Sequence, residues 1–134
     1  MIDELFVVPE IMFTHVDWQK AYFQYWQRSA LITRHADAFH LCVHVELTQP
    51  SVAWLAGINL QFISMKSELF LALSFIDQRW WLVQSFGASW EYSNEHDKQC
   101  FLTQFAIAAW VEQDAQHQTR SVKSTGIEAF PCII

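Results

Sequence analysis

His40-Leu41-Cys42-Val43-His44-Val45-Glu46-Leu47 alternates without a break: Leu41, Val43, Val45 and Leu47 fall on one side, His40, Cys42, His44 and Glu46 on the other. A period of two is what the pleat of a strand imposes, because successive Cβ atoms point to opposite faces. The stretch therefore predicts a half-buried β-strand. Downstream, Leu69 to Ile76 and Arg79 to Phe86 are apolar on both faces and are separated by Asp77-Gln78, as the arms of a hairpin would be. Strands apolar on both sides need cover on both sides. Tandem Trp80-Trp81 must send one ring to each.

Between these segments Thr48-Gln49-Pro50-Ser51 predicts a turn, after which Ile58, Leu60 and Phe62 alternate with Asn59, Gln61 and Ile63 as a further strand. Met65-Lys66-Ser67 reads as the next turn. Upstream, Thr14-His15-Val16-Asp17 has the Thr-x-x-acid form of a helix start. Trp18, Tyr22, Tyr25 and Trp26 follow at helical spacing, so a first helix is expected from Val16 to about Arg34 with these aromatics in the core. Asn94-Glu95-His96-Asp97 opens a second helix whose apolar side carries Phe101, Leu102, Phe105, Ala108 and Ala109 and which ends near His117. Phe130-Pro131-Cys132-Ile133-Ile134 reads as an edge strand or a docked tail. The expected fold is α+β in one globular domain, residues 1–134: an N-terminal helix, a four-stranded antiparallel meander, and a C-terminal helix packed on the sheet. A closed, barrel-like sheet is the alternative.

Composition narrows the function. The 134 residues are 52% hydrophobic and 16% charged, enough apolar material for a core without disulfide or metal staples. Eight Lys and Arg against fourteen Asp and Glu give a net charge of −6, which argues against nucleic acid and anionic membranes as partners, since both demand clustered positive charge. No apolar run approaches the roughly 18 to 20 residues of a membrane-spanning helix. Met1-Ile-Asp-Glu lacks the basic start of an export signal, and Cys42, Cys100 and Cys132 are odd in number and widely spaced, so a reducing cytoplasm is expected.

Chemistry-bearing motifs are sparse. His40, Cys42 and His44 offer ligand types that zinc accepts, but residues two apart on one strand project in parallel and do not converge on an ion unaided. They are weak metal candidates only, and no cofactor is expected. Glu91, Glu95, His96 and Asp97 concentrate acid before the second helix, where carboxylates satisfy free N–H groups and oppose the helix dipole. No phosphate loop, dinucleotide fingerprint or nucleophile elbow occurs in the sequence.

The leading expectation is therefore a small acidic protein-binding module, such as an inhibitor or immunity protein for a basic toxin or nuclease. Trp80, Trp81 and Trp90 would anchor the partner, with Glu91, Glu95 and Asp97 steering it. Two other classes stay open. One is a ligand-binding or metal-dependent enzyme using the His40, His44 and Glu46 face; the other is an effector chaperone or a subunit of a homodimer or larger homo-oligomer.

Overall fold

The structure, a computed structural model, describes residues 5, 8, 10–35, 38–64 and 71–124. Its elements are β1 (Ile11–Val16), β2 (Lys20–Tyr25), β3 (Arg28–His35), β4 (Ala38–Val45), α1 (Val52–Ser64), β5 (Leu71–Ile76), β6 (Arg79–Phe86) and α2 (Glu95–Ser124). The strands form one six-stranded antiparallel sheet in the order β1-β2-β3-β4-β6-β5. This replaces the four-stranded meander expected between His40 and Phe86: β1 to β4 run as a meander, α1 crosses to the far edge, and the β5–β6 hairpin returns so that β6 pairs with β4 and β5 forms the edge.

The expected N-terminal helix is instead the end of β1, all of β2 and most of β3. Asp17 explains the error, because a carboxylate that accepts the next N–H groups can start a helix or close a turn. Here its Oδ1 accepts from the N–H groups of Gln19 and Lys20 at 2.8 and 2.7 Å, and it closes the β1–β2 turn. From Lys20 onward the alternation is strand-like: Ala21 and Phe23 are buried while Lys20, Tyr22 and Gln24 are exposed. Trp18 and Trp26, expected in the core, stand at turns and are 76% and 72% exposed.

The expected strand around Ile58 is likewise a helix, α1. Ser51 caps it, its Oγ accepting the Trp54 N–H at 3.0 Å. The buried set Trp54, Ile58 and Phe62 has helical spacing of four. Apolar residues also occupy the outer surface, which let the same sequence pass as an alternating strand. The β4 strand, the β5–β6 hairpin and the start of α2 lie where the sequence put them, although α2 continues to Ser124, beyond the end expected near His117. The Met65–Ser67 turn and the Phe130–Ile134 tail fall outside the described residues.

Both helices pack on one face. That face contributes Phe23, Ile32, Phe39, Leu41, Val43, Val45, Leu82 and Phe86, which meet Trp54, Ile58 and Phe62 of α1 and Phe101, Phe105, Ala108 and Val111 of α2. Aromatic contacts run through it, from Tyr25–Phe105 at 4.7 Å to Phe39–Trp90 at 5.4 Å. Two polar clasps fix α2 on this surface. Gln104, fully buried, donates from Nε2 to the carbonyls of Leu41 and Leu82, both at 2.8 Å, and so bridges the β4–β6 seam. Glu112 receives a bidentate pair from Arg28 at 2.9 and 2.8 Å and also accepts the Glu46 N–H at 2.6 Å. Burial pushes the Glu112 carboxyl up, but these hydrogen bonds and the adjacent guanidinium outweigh it and hold the group below its ordinary value.

Two hairpins share one turn geometry. Trp26-Gln27 (φ 48° and 66°) and Asp77-Gln78 (φ 52° and 66°) each form a two-residue loop with both residues left-handed, the type I′ arrangement that matches strand twist. Neither contains glycine, so each is strained. Gln78→Gly is expected to stabilise the protein by about 1 kcal/mol in denaturant titrations, because only Gly adopts that φ without steric cost. Glu112→Ala is expected to cost about 2 kcal/mol, since it strands the half-buried Arg28 charge and the Glu46 N–H. With its pKa depressed by folding, Glu112 adds stability above the ordinary carboxylate range of about 4.3, and that share is lost as pH falls through it. The acid limb of the wild-type stability curve should flatten correspondingly in Glu112→Ala.

Candidate interaction face

The sheet surface opposite the helices is the candidate site. Register builds it row by row. His15 pairs with Tyr22, Tyr22 with Leu31, Leu31 with Cys42, Cys42 with Val83, and Val83 with Ala72, a continuous transverse row over all six strands. On one side of this row runs Lys20–Thr33–His40–Ser85; on the other, His44–Trp81–Ser74. An apolar band, Tyr22 to Ala72, is thus flanked by imidazoles two residues either side of Cys42. Leu31 and Val83 are half-buried by their neighbours, and Met12, Tyr22 and Ile76 on the same surface are exposed.

The histidines are held by ring contacts. His35 and His40 lie 4.6 Å apart between centroids, His44 meets Trp81 edge-on at 5.5 Å, and His15 lies 6.1 Å from Tyr22. Burial holds the His40 and His44 pKa values below the ordinary imidazole value. His35 lowers His40 further. At His44, Arg79 and Arg28 push down while Glu112 and Glu46 push up, with burial the largest effect. Cys42 is 6% exposed, and burial pushes its thiol up to about 11, which removes it as a nucleophile at neutral pH.

His40, Cys42 and His44 do share one face, in a row along β4. Yet among the described residues no group of three His, Cys, Asp or Glu side chains is placed to hold a metal ion. Parallel projection along a strand is the reason. Asp37, a carboxylate close in sequence to this row, and Cys132 lie outside the described residues.

The residues proposed from sequence as partner contacts separate into three places. Trp81 lies on the open face, 8% exposed, its indole N–H donating to the Ile76 carbonyl at 3.3 Å. Trp80 lies on the helix face, half-buried against Phe75 at 5.1 Å. Trp90 is buried with Phe39, Phe86 and Phe101, and its indole N–H donates to the Asp97 carbonyl at 3.0 Å. Asp97 Oδ2 accepts the Glu91 N–H at 3.0 Å while Asn94 caps the Asp97 N–H at 3.1 Å. The Asp97 carboxylate therefore organises the entry to α2, with exposed Glu91 and Glu95 beside it.

Tyr22, expected from sequence in the core of a first helix, is instead an exposed strand residue of this band, and Leu31 and Val83 carry no functional reading from sequence. The signal for Leu31 was present: Ser29, Leu31 and Thr33 alternate with buried Ala30 and Ile32. A second surface feature is an open groove of about 380 Å³ lined by Trp26 with Tyr25, Arg28, Leu102, Phe105 and Ala106. Among the described residues no helix is long and apolar enough to cross a membrane. Comparison with known protein families, with curated proteins and with solved structures finds no match.

The imidazole environment sets a pH dependence. Folded His40 and His44 bind protons less readily than unfolded histidine, so below about pH 6.5 the unfolded state takes up more protons and stability falls with pH. Denaturation midpoints measured from about pH 7.5 to about pH 5.5 should decline for the wild type and decline less for the double variant His40→Gln/His44→Gln.

Proposed function

We propose that the protein is a non-catalytic protein-binding module that docks its partner on the open face of the sheet. One observation carries this reading: among the described residues both helices cover the same face, and the other carries the Tyr22–Leu31–Cys42–Val83 band, in which Tyr22 is exposed, Leu31 and Val83 are half-buried and Cys42 is the buried floor. An apolar band framed by polar groups is the usual anatomy of an interaction surface. Of the uses considered from the sequence, charge-led inhibition of a basic toxin needs carboxylates at the docking surface. The strands contain none. Holding a segment of another protein, as an effector chaperone does, needs an apolar face, which the sheet offers.

A second reading has its own observation. α1 contains no charged residue, and opposite its buried side it carries Val52 at 83% exposure, Ile63 at 80% and Leu60 beside them. In a chain of net charge −6, an uncharged helical stripe is where a second copy can approach without repulsion.

Light-scattering mass of the purified protein, alone and mixed with the product of its neighbouring gene, separates the two. A hetero-complex that Leu31→Asp disrupts supports the docking face. A dimer that Ile63→Glu dissociates supports the second reading. A complex indifferent to Leu31→Asp removes the open face from the mechanism.

A further inference from the structure

The chain is acidic, but its acids are not spread evenly. Among the described residues no strand contains Asp or Glu, while four of the six histidines, His15, His35, His40 and His44, lie on strands and face the open side together with Lys20 and Arg79. Described carboxylates near this surface stand only at its margin: Asp17 and Asp77 in turns, and Glu46 one residue beyond β4. Asp17 is engaged by two backbone N–H groups and lies 3.5 Å from His15. The rest of the described acids, Glu91, Glu95, Asp97, Glu112 and Asp114, belong to α2 and the segment leading into it, and Glu10 precedes β1.

We infer that the open sheet face receives an acidic, amphipathic segment of a partner protein, with apolar side chains on the Tyr22–Leu31–Cys42–Val83 band and carboxylates toward His40, His44, Lys20 and Arg79. This rests on the docking-face reading above and reverses the expectation of a basic partner drawn from net charge. Complementarity is decided by the groups a partner meets at close range, since charges beyond about 10 Å are screened at physiological salt. A polyphosphate fits less well. The two fixed cations on this face among the described residues make few phosphate contacts, and the chain's net −6 opposes a densely charged polyanion at long range. Carboxylates spaced by apolar residues match a face on which imidazoles are spaced by Leu31, Cys42 and Val83.

A pH response follows from the same geometry. The groups facing His40 are His35, Thr33 and Ser85, with Lys20 in the same row; those facing His44 are Trp81 and Arg79 on the sheet and Glu46 at the rim, with Glu112 and Arg28 acting from the helix side. Among the described residues no helix packs over either ring. Partner carboxylates arriving at these imidazoles favour their protonated forms, so binding takes up protons and tightens as pH falls through the imidazole range.

Fluorescence polarisation with labelled synthetic peptides of equal length, one alternating Glu and Leu and one alternating Lys and Leu, tests this alongside a single-stranded RNA oligonucleotide. The Glu-Leu peptide is expected to bind, to weaken with salt, and to bind about tenfold more tightly at about pH 6 than at about pH 7.5. In His40→Gln/His44→Gln the ratio between the two pH values should fall toward one, and Lys20→Glu/Arg79→Glu should weaken binding at both. Preference for RNA, or a pH ratio unchanged in the histidine variant, overturns the inference. Tighter binding of the Lys-Leu peptide, abolished by Leu31→Asp, overturns it while leaving the docking face in place. Failure of the Glu-Leu peptide to bind also overturns the inference, whereas the docking face itself is tested by Leu31→Asp in the light-scattering experiment.

Discussion

Everything on the open face depends on α2 being held to the other one. Apolar burial is not directional, so it leaves the register of a long helix over a sheet to side-chain packing alone. Gln104 and Glu112 supplement that packing with directional bonds. Gln104 reaches carbonyls on β4 and β6, two strands brought together only after α1 has crossed the sheet. Glu112 engages the first residue of β3 and the residue just past β4, and Arg28 adds a bond to the His44 carbonyl at 3.0 Å. The backbone of His44 is thereby tied to the helix side while its ring stands on the other.

The aromatic residues divide by what their surroundings supply. Trp90 has a buried site and an acceptor for its N–H, and it works in the core. Trp81 is 8% exposed with its N–H also satisfied, so its ring is packed into the open face and is not a projecting anchor. Trp18 and Trp26 project from hairpin turns, and Trp26 does so from a left-handed residue. A bulky side chain held at positive φ beside an open groove is an expensive arrangement for a turn that Asn-Gly would make at lower cost.

Legibility from sequence followed the quality of the period. β4 alternates cleanly because one face is core and the other carries His40, Cys42 and His44, and it was found with its correct inward face. The β5–β6 hairpin was legible from a two-residue break between apolar runs, and α2 from its capping residues and a broad stripe. β2 and α1 were misread for one shared reason. Each carries apolar or aromatic side chains on the surface as well as in the core, so burial leaves no unique period in the letters. Ser51 before Trp54, Ile58 and Phe62 was the local signal that separated helix from strand, and Asp17 was a signal compatible with both.

By itself the sequence determined an α+β class, a strand bearing histidines on one side, a hairpin that splits Trp80 from Trp81, and an acidic chain lacking nucleotide-binding motifs. These are local or additive properties, fixed by period, turn chemistry and composition. Tertiary structure alone decided that β1, β2 and β3 extend the sheet to six strands and that both helices choose the same face. It also decided that Tyr22, Leu31, Cys42 and Val83 meet in one row. Register between strands far apart in the chain depends on which carbonyl meets which N–H, and that is set by the assembled core. The separation of charge between sheet and helices has the same origin, because a net charge carries no direction until the fold assigns each residue a side.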